Sequence, residues 1–426
     1  MLKYNQNVEM LFIKRVKIKG GATMKAKKIL ALVFAAVMVL SLAACGGSSS
    51  GSAAPAAAAS SAKSEAAAPA AAASSAKSEA AAPAAGGDTY TIGVTTWGSG
   101  VPILDMFGNE NQYVLGLIGM DTNRVSDDFT ADKQVTNVQT LISAGVNGIV
   151  NQGSGVTTIP QMAELCKKAG IPIVFNVSCG LEEDLQELQK NNEFYVGAID
   201  ADMYLDGQIM GQKAYEDGCR TATMIGGNVG DQDIDKRMNG FTDKFEELGG
   251  KVLANARCTD NSECPTKAED MLSANSDADC IYATVGDYVA GSMSAIDNLG
   301  LDTKIYCSCT DEDSAKYILE GRIAAGNDGI GLACAIAPAL LINYLDGHQI
   351  LDDAGLAPRL QTIPFTITKD NAQDYIDIFY GSGSHAFTED MFKNLVWRCN
   401  PDVTYKDYVD LIKNLDLDYI MEQHGK

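Results

Sequence analysis

The sequence predicts an α/β protein whose folded part consists of two doubly wound parallel-sheet lobes with a ligand cleft between them. From residue 88 onward, short apolar runs rich in Val, Ile and Tyr alternate with segments of helical period. The runs are mostly apolar rather than alternating, as strands are when helices cover both faces of a parallel sheet. About nine such runs in about 340 residues favour two lobes over one large sheet. In such lobes ligands bind where the strands end, which here is the cleft.

The first element of the chain, residues 1–44, is predicted to be a signal peptide. Residues 29–44 are apolar except for one serine and follow a cluster of lysines. This run is shorter than the ~20 residues of a membrane-spanning helix, and it ends in small residues. Its last letters, LAAC, resemble the lipobox of bacterial lipoproteins. That resemblance implies cleavage before Cys45 and attachment of lipid, with acyl chains such as palmitate, to Cys45.

A complete signal peptide already begins at Met24, and residues 1–23 fit no part of one. We therefore expect translation to start at Met24.

The second element, residues 45–87, is predicted to be a disordered tether. It contains two copies of the 14-residue repeat AAPAAAASSAKSEA, at 53–66 and 67–80. The stretch has no large apolar side chain, so burial cannot offset the entropy of ordering it.

The third element is the folded part, with helices predicted between most of its strands, for example over 130–145 and 235–250. The predicted strands are 90–96, 113–119, 148–152, 172–177, 195–200, 221–227, 251–256, 280–286 and 304–309.

Composition excludes several kinds of function. The chain has 33 basic and 55 acidic residues and a net charge of −22; eight of the basic residues but only one acid lie in residues 1–44, so the net charge from Cys45 onward is −29. So acidic a surface repels nucleic acids and anionic lipid headgroups. No catalytic set of nucleophile, base and orienting group is recognisable, so we predict that the protein is not an enzyme.

We also predict no metal and no cofactor. The three histidines, His348, His385 and His424, lack metal-ligand spacing. The glycine-rich segment 225–230 has neither the spacing nor the Lys-Ser/Thr of a nucleotide loop. Of the cysteines after Cys45, the nearest plausible disulfide pair in an exported protein is Cys258 with Cys264, although apolar surroundings suit several of the others as free thiols.

Four ordered segments resemble type I periplasmic binding proteins, in the sugar-binding branch that includes the ribose and glucose/galactose binders. They read GVNGIVNQGSGVTTIPQMAELCKKAGIPIVFNV, YVGAIDADMYLDGQIMG, DKRMNGFTDKFEELG and KYILEGRIAAG, and they lie within residues 145–326. With the opening IGVT, the resemblance as a whole spans about residues 90–350.

The resemblance implies a lipid-anchored receptor at the outer face of the cytoplasmic membrane. Its two lobes, joined by three hinge crossovers, close on a sugar or similar polar ligand and deliver it to an ABC permease driven by a cytoplasmic ATPase. A monomer is expected. The alternative is a sensory module that presents its occupied state to a membrane kinase or chemoreceptor.

Two residues head the candidate ligand-binding set. Trp97 ends the first predicted strand, where it either stacks on a sugar face or packs within its lobe. Arg237 matches the arginine of the family's R..GF helix, which enters the cleft and donates paired hydrogen bonds, although a surface arginine is the alternative.

Three more candidates flank these residues. Asp231 and Asp233 precede Arg237 at offsets that hold ligand contacts in the glucose/galactose branch, and a helix N-terminus favours acids there without a ligand as well. Asn176 resembles the asparagine that ends the equivalent strand, but the strand is one residue shorter here, so Val177 is the alternative occupant.

The last three candidates are aspartates. Asp287 follows the 280–286 strand and is either a ligand contact or a helix N-cap. Asp311 lies two residues beyond the place where the family has its aspartate, so either Asp311 is shifted into that role or the ligand lacks the group that the aspartate would bind. Asp328 stands near the second crossover as ligand contact or hinge residue.

From these features we predict a first lobe of residues 88–198 plus 328–362. The second lobe comprises 199–327 plus 363–426, with the long C-terminal tail packed on it.

Overall fold

A computed structural model describes residues 88–153 and 157–426. The predicted signal peptide, Cys45 and the tether lie outside the described residues. No helix in the described part is long and apolar enough to cross a membrane.

Two six-stranded sheets form the framework, as predicted. In chain order the strands are β1 Thr91–Thr96, β2 Asp121–Ser126, β3 Gly148–Gln152, β4 Ile173–Val177, β5 Tyr195–Ala201, β6 Thr221–Gly226, β7 Lys251–Arg257, β8 Cys280–Ala283, β9 Lys304–Cys307, β10 Ala325–Asp328, β11 Arg359–Thr362 and β12 Phe365–Ile367.

Helices separate most of these strands. They are α1 Pro102–Gly116, α2 Ala131–Ser143, α3 Ile159–Ala169, α4 Glu182–Asn191, α5 Met203–Glu216, α6 Gln232–Glu247, α7 Cys264–Ala274, α8 Val289–Leu299, α9 Glu312–Glu320, α10 Ala333–Leu345, α11 Ala372–Phe379, α12 Glu389–Lys393, α13 Tyr405–Asn414 and α14 Leu417–Gln423.

The two sheets have matching strand orders. The first runs β2-β1-β3-β4-β5-β11 and is parallel throughout, and the second runs β7-β6-β8-β9-β10-β12. Only β12, of the strands described, pairs antiparallel, with β10. The chain passes between the lobes after β5, after β10 and between β11 and β12. These are the three crossovers expected from the resemblance.

The predicted strand 113–119 is wrong, because most of it is the last part of helix α1. The buried residues of α1 recur at helical spacing, at positions 103, 106, 107, 110, 111, 114 and 115. A short apolar run with Val and Leu suits either structure, and here the helical period continues from the preceding turn. The strand that follows is β2, a polar and half-buried edge strand.

The lobe boundaries differ from the prediction in the C-terminal tail. Helix α11 packs on α9 of the second lobe, but the chain then crosses to the first lobe, where α12 packs on α10. Helix α14 returns to α11. The physical reason lies in α10, whose sequence ACAIAPALLINYL has no polar face. A helix that is apolar all round must be covered on every side, and the tail covers the side that the first sheet leaves open.

Buried polar groups anchor the tail on α10. The Asn343 side chain donates to Leu395 O at 2.9 Å and accepts from Trp397 N at 2.7 Å. Arg398 forms two hydrogen bonds with the Asp346 carboxylate, at 2.8 and 2.5 Å.

Candidate functional site

A cavity of about 350 Å³ lies between the lobes, at the carboxyl ends of their strands. We call it the main cavity. The first lobe contributes residues that end or follow β1, β3 and β4 and one face of α1. The second contributes the start of α6 and residues just beyond β8 and β9. Its lining is Trp97, Ile103, Leu104, Phe107, Gln152, Val177, Ser178, Gly230, Asp231, Gln232, Asp233, Ile234, Arg237, Val285, Cys309 and Ile330.

The first-lobe wall is built around Trp97. Its backbone N–H donates to Gln152 Oε1 at 3.0 Å, and its carbonyl accepts from Phe129 N at 2.9 Å. Gln152 is held in turn by Gln134, whose Nε2 donates to Gln152 O at 2.9 Å. Aliphatic and aromatic side chains of α1, such as Phe107, complete this wall. The wall therefore offers apolar surface suited to the C–H face of a ring.

The second-lobe wall is the first turn of α6. Asp231 is its N-cap, with Oδ1 accepting from Asp233 N at 3.1 Å and Ile234 N at 3.2 Å. Asp233 and Arg237 lie one helical turn apart, so both side chains face the main cavity. This places an acid and a guanidinium side by side on one wall.

Arg237 is held by a buried polar network. Its Nε donates to Asp206 Oδ2 at 2.7 Å. The other oxygen of Asp206 accepts from Ser308 Oγ at 2.8 Å and from Asn327 Nδ2 at 3.0 Å. Burial alone would lower the pKa of Arg237, but the carboxylate of Asp206 outweighs it, so the pKa is raised. The guanidinium is thus permanently charged and fixed in orientation, with its two Nη groups free of protein partners among the described residues.

Asp233 faces the opposite lobe. Burial raises its pKa, while the charge of Arg237 and a hydrogen bond with Ser178 oppose the rise. Ser178 follows β4 of the first lobe, so this contact spans the cleft.

Two lining residues have a backbone that side chains rarely adopt. Val177, at the end of β4, has φ 71°, and Cys309, just beyond β9, has φ 52°. The strands occupy equivalent places in the two sheets. Left-handed backbone in a β-branched residue costs about 1–3 kcal/mol and is concentrated at functional sites.

The structure brings four of the predicted residues to the main cavity: Trp97, Asp231, Asp233 and Arg237. It does not bring Asn176 there. Asn176 is buried within the first lobe, where its Nδ2 donates to Asn111 Oδ1 at 3.2 Å, and the alternative, Val177, lines the cavity. The positive φ of Val177 turns the chain there, so the valine side chain faces the cleft.

The three remaining aspartates also lie outside the lining. Asp287 is exposed and accepts from Asn261 Nδ2 at 2.9 Å. Asp311 is the N-cap of α9, where its Oδ1 accepts from Ser314 N at 2.7 Å. Cys309, two residues earlier, lines the cavity instead. Asp328 is buried at the second crossover and accepts from Tyr375 Oη at 2.7 Å; burial raises its pKa to about 6.

Sequence reasoning missed several residues that form the site. Gln152 and Ser178 end or follow β3 and β4, a position that is itself a signal in a parallel sheet. Phe107 lies on α1 ahead of the misassigned run 113–119, and no local signal marked it as a cavity residue. Asp206 lies within the quoted stretch YVGAIDADMYLDGQIMG, but it is 31 positions from Arg237, so no local pattern connects the two.

The described part of the chain contains neither disulfides nor groups of three potential metal ligands. The ten cysteines of the described part are free thiols, with Cys258 and Cys264 close enough to hydrogen-bond to each other. No group of three potential metal-ligating side chains occurs in residues 88–153 and 157–426.

Residues 104–348 match the model of the periplasmic binding protein domain. A comparison with curated protein sequences finds no match.

Solved structures of similar fold include a periplasmic solute-binding protein of an ABC transporter from Actinobacillus succinogenes with bound D-allose, at 16% identity and TM-score 0.61, covering 67% of this chain and 100% of that one. A galactofuranose-binding protein matches at 18% identity and TM-score 0.59, covering 68% of this chain and 97% of that one.

The binding protein of an arabinose ABC transporter from a Shewanella species matches at 18% identity and TM-score 0.58, covering 69% and 96% of the two chains. At these identities the structures establish the two-lobed fold. Because the domain match spans more than half of the sequence, the chain belongs to the periplasmic binding protein domain family, whose members bind substrates outside the cytoplasm rather than transform them.

Proposed function

We propose that the protein is the substrate-binding lipoprotein of an ABC importer and binds a sugar or similar polyol by closure of its lobes. The observation that carries the proposal is the arrangement of Arg237 opposite Trp97 in the main cavity. Arg237 offers two free Nη groups in a fixed plane, which suit paired hydroxyls, while Trp97 and Phe107 offer apolar surface for the C–H face of the same ring. Solved structures of similar fold with bound allose and arabinose support the ligand class.

Closure follows from the distribution of these groups. Trp97, Gln152 and Ser178 belong to the first lobe, and Asp233 and Arg237 to the second. A ligand that contacts both walls binds the closed arrangement more tightly than an open one, so it shifts the population toward closure. The closed form is then the one recognised by the permease.

Isothermal titration of the full chain with a panel of monosaccharides, nucleosides and amino acids tests the ligand class. We expect at least one sugar to bind, and Arg237→Ala to weaken that binding by about 100-fold, because it removes a charge-assisted bidentate contact of about 3 kcal/mol. Arg322→Ala is the matched control, since Arg322 is an exposed arginine paired with Asp297 on the surface. Binding of a nucleoside or amino acid, with no sugar bound, would overturn the sugar proposal.

The lipid anchor has its own test. Expression of the full gene in a bacterial host should give a membrane-associated protein that incorporates labelled palmitate. Cys45→Ser should abolish the label and release the protein from the membrane. Unchanged label in that variant would contradict lipidation at Cys45.

A further inference from the structure

A second cavity, of about 730 Å³, adjoins the main cavity. We call it the annex. It is lined by residues 180–183, which end the loop after β4 and begin α4, by the start of α5, and by side chains of α6 and β11. Gln232 lines both cavities, so they meet at the first turn of α6.

Helix α6 presents a different pair of side chains to each cavity. Asp233 and Arg237, four residues apart, face the main cavity. Gln232 and Lys236, with the same spacing, face the annex. Residues four apart on a helix share a face, and the two pairs are offset by one position, or about 100°. One helix therefore forms the boundary of two adjoining spaces and supplies polar groups to each.

Several polar groups of the annex have unused hydrogen-bonding capacity. Within the described residues, the Lys236 ammonium donates no hydrogen bond and has no acid within ion-pair distance, although its charge opposes the rise that burial causes in the pKa values of Asp200 and Asp233. Arg359 pairs with Glu182 and lies 3.6 Å from Asp200, yet its Nε is buried without a partner. A native protein leaves few buried polar atoms unsatisfied, and the Arg359 Nε is such an atom beside the annex. The half-buried Lys236 ammonium lines the annex itself and is available to a ligand there.

The charges of the annex select a neutral ligand. Lys236 and Arg359 bring two positive charges, but Glu182, Glu183 and Asp202 line the same space. This mixture of ammonium, guanidinium, amide and carboxylate groups repels a free anion and provides both donors and acceptors. Vicinal hydroxyls, which donate and accept at once, match such a surface.

We infer that the main cavity and the annex form one elongated site for a neutral ligand of two sugar units. One unit lies between Trp97 and Arg237, and the second extends past Gln232 to Lys236. The inference rests on the proposed function and adds the length of the ligand to it.

Isothermal titration of the full chain with matched sugars tests the inference. The pairs are galactose with lactose, glucose with maltose and glucose with cellobiose. We expect one disaccharide to bind at least about tenfold more tightly than its monosaccharide, as one added charge-assisted hydrogen bond of about 1.5 kcal/mol would produce. Lys236→Ala should reduce that affinity ratio about tenfold. Lys236→Gln, which keeps a donor, should reduce it less, and Arg322→Ala should leave it unchanged.

Two results would overturn the inference, and they are distinguishable. If a monosaccharide binds as tightly as its disaccharide, and Lys236→Ala leaves the ratio unchanged, the annex is not a subsite and the proposed function stands. If no sugar of either length binds, the proposed function fails together with the inference.

Discussion

Asp206 and Arg237 form a buried ion pair that joins helices α5 and α6, with Arg237 Nε 2.7 Å from Asp206 Oδ2 and both side chains no more than 5% exposed. The pair does more than position the guanidinium. Through its other oxygen Asp206 also holds Ser308 beyond β9 and Asn327 on β10. Asn327 Oδ1 accepts from Thr366 Oγ1 at 3.0 Å, so the network extends to β12, next to the third crossover.

Asp206→Asn should destabilise the protein by about 3–5 kcal/mol, because it leaves the Arg237 charge buried without compensation. Urea denaturation measures the free energy of unfolding. Asp297→Asn, which breaks the exposed pair with Arg322, is the control and should cost about 1 kcal/mol or less. If both variants lost the same free energy of unfolding, burial of the Arg237 charge would not be the cause of the loss.

Close approach of α5 and α6 depends on glycine. A Cβ added at Gly240 would lie 2.0 Å from Tyr204 O, and one added at Gly207 would lie 2.0 Å from Arg237 O. Gly240→Ala should therefore destabilise the protein by about 1–3 kcal/mol through overpacking, even though alanine is the better helix former.

Gly116→Ala is the matched control for Gly240→Ala. Gly116 is also a helical glycine, and a Cβ there would have open space around it. We expect this variant to gain about 0.5–1 kcal/mol, measured by the same denaturation experiment. A gain at Gly240 as well would show that the helices can separate at no cost.

The stability of the protein should depend on pH through Asp127. Burial raises the pKa of this fully buried carboxyl from 3.8 to about 6, against the opposing hydrogen bond from Asn137. A raised folded-state pKa means that the native state binds the proton more tightly than the unfolded state. The stabilisation is therefore present below pH 3.8 and is lost as the pH rises to about 6.

Asp127→Asn removes this titration. The difference in unfolding free energy, variant minus wild type, should increase between about pH 4 and pH 6 and stay constant above that range. Denaturation curves at intervals across the window measure it. A difference that stays constant throughout would contradict a raised pKa at Asp127.

The tail should detach when Glu110 is removed. Glu110 Oε1 accepts from Phe387 N and Oε2 contacts His385 Nδ1, each at 3.0 Å, and His385 stacks on Tyr113 with ring centroids 3.6 Å apart. Glu110→Ala leaves the buried Phe387 N–H unsatisfied, at a cost of about 1–3 kcal/mol. Limited proteolysis should then cut the loop between α11 and α12 faster than in the wild type.

Glu110→Gln is the control for that experiment, because its amide oxygen can still accept from Phe387. We expect intermediate proteolysis and a smaller loss of stability. Identical cleavage rates in all three proteins would show that Glu110 does not hold the tail.

The fold was predictable because parallel strands covered on both faces are apolar along their whole length. Runs such as 172–177 and 280–286 are mostly apolar and carry that pattern without reference to any partner. The short strands β10, β11 and β12, with the sequences AGND, RLQT and FTI, lack this apolar pattern. They form strands because they pair with neighbouring strands that the fold places beside them.

The same division holds for the site. The sequence by itself determined that Asp233 and Arg237 lie on the same face of one helix, because residues four apart share a helical face whatever the helix packs against. Only the tertiary structure decided that Val177 rather than Asn176 reaches the cavity, because that depends on one backbone angle at a strand end. It also decided that Asp206 holds Arg237 and that the tail crosses to α10. Those contacts join residues far apart in the chain, and they form because burying a charge or an apolar helix face requires a partner from elsewhere in the fold.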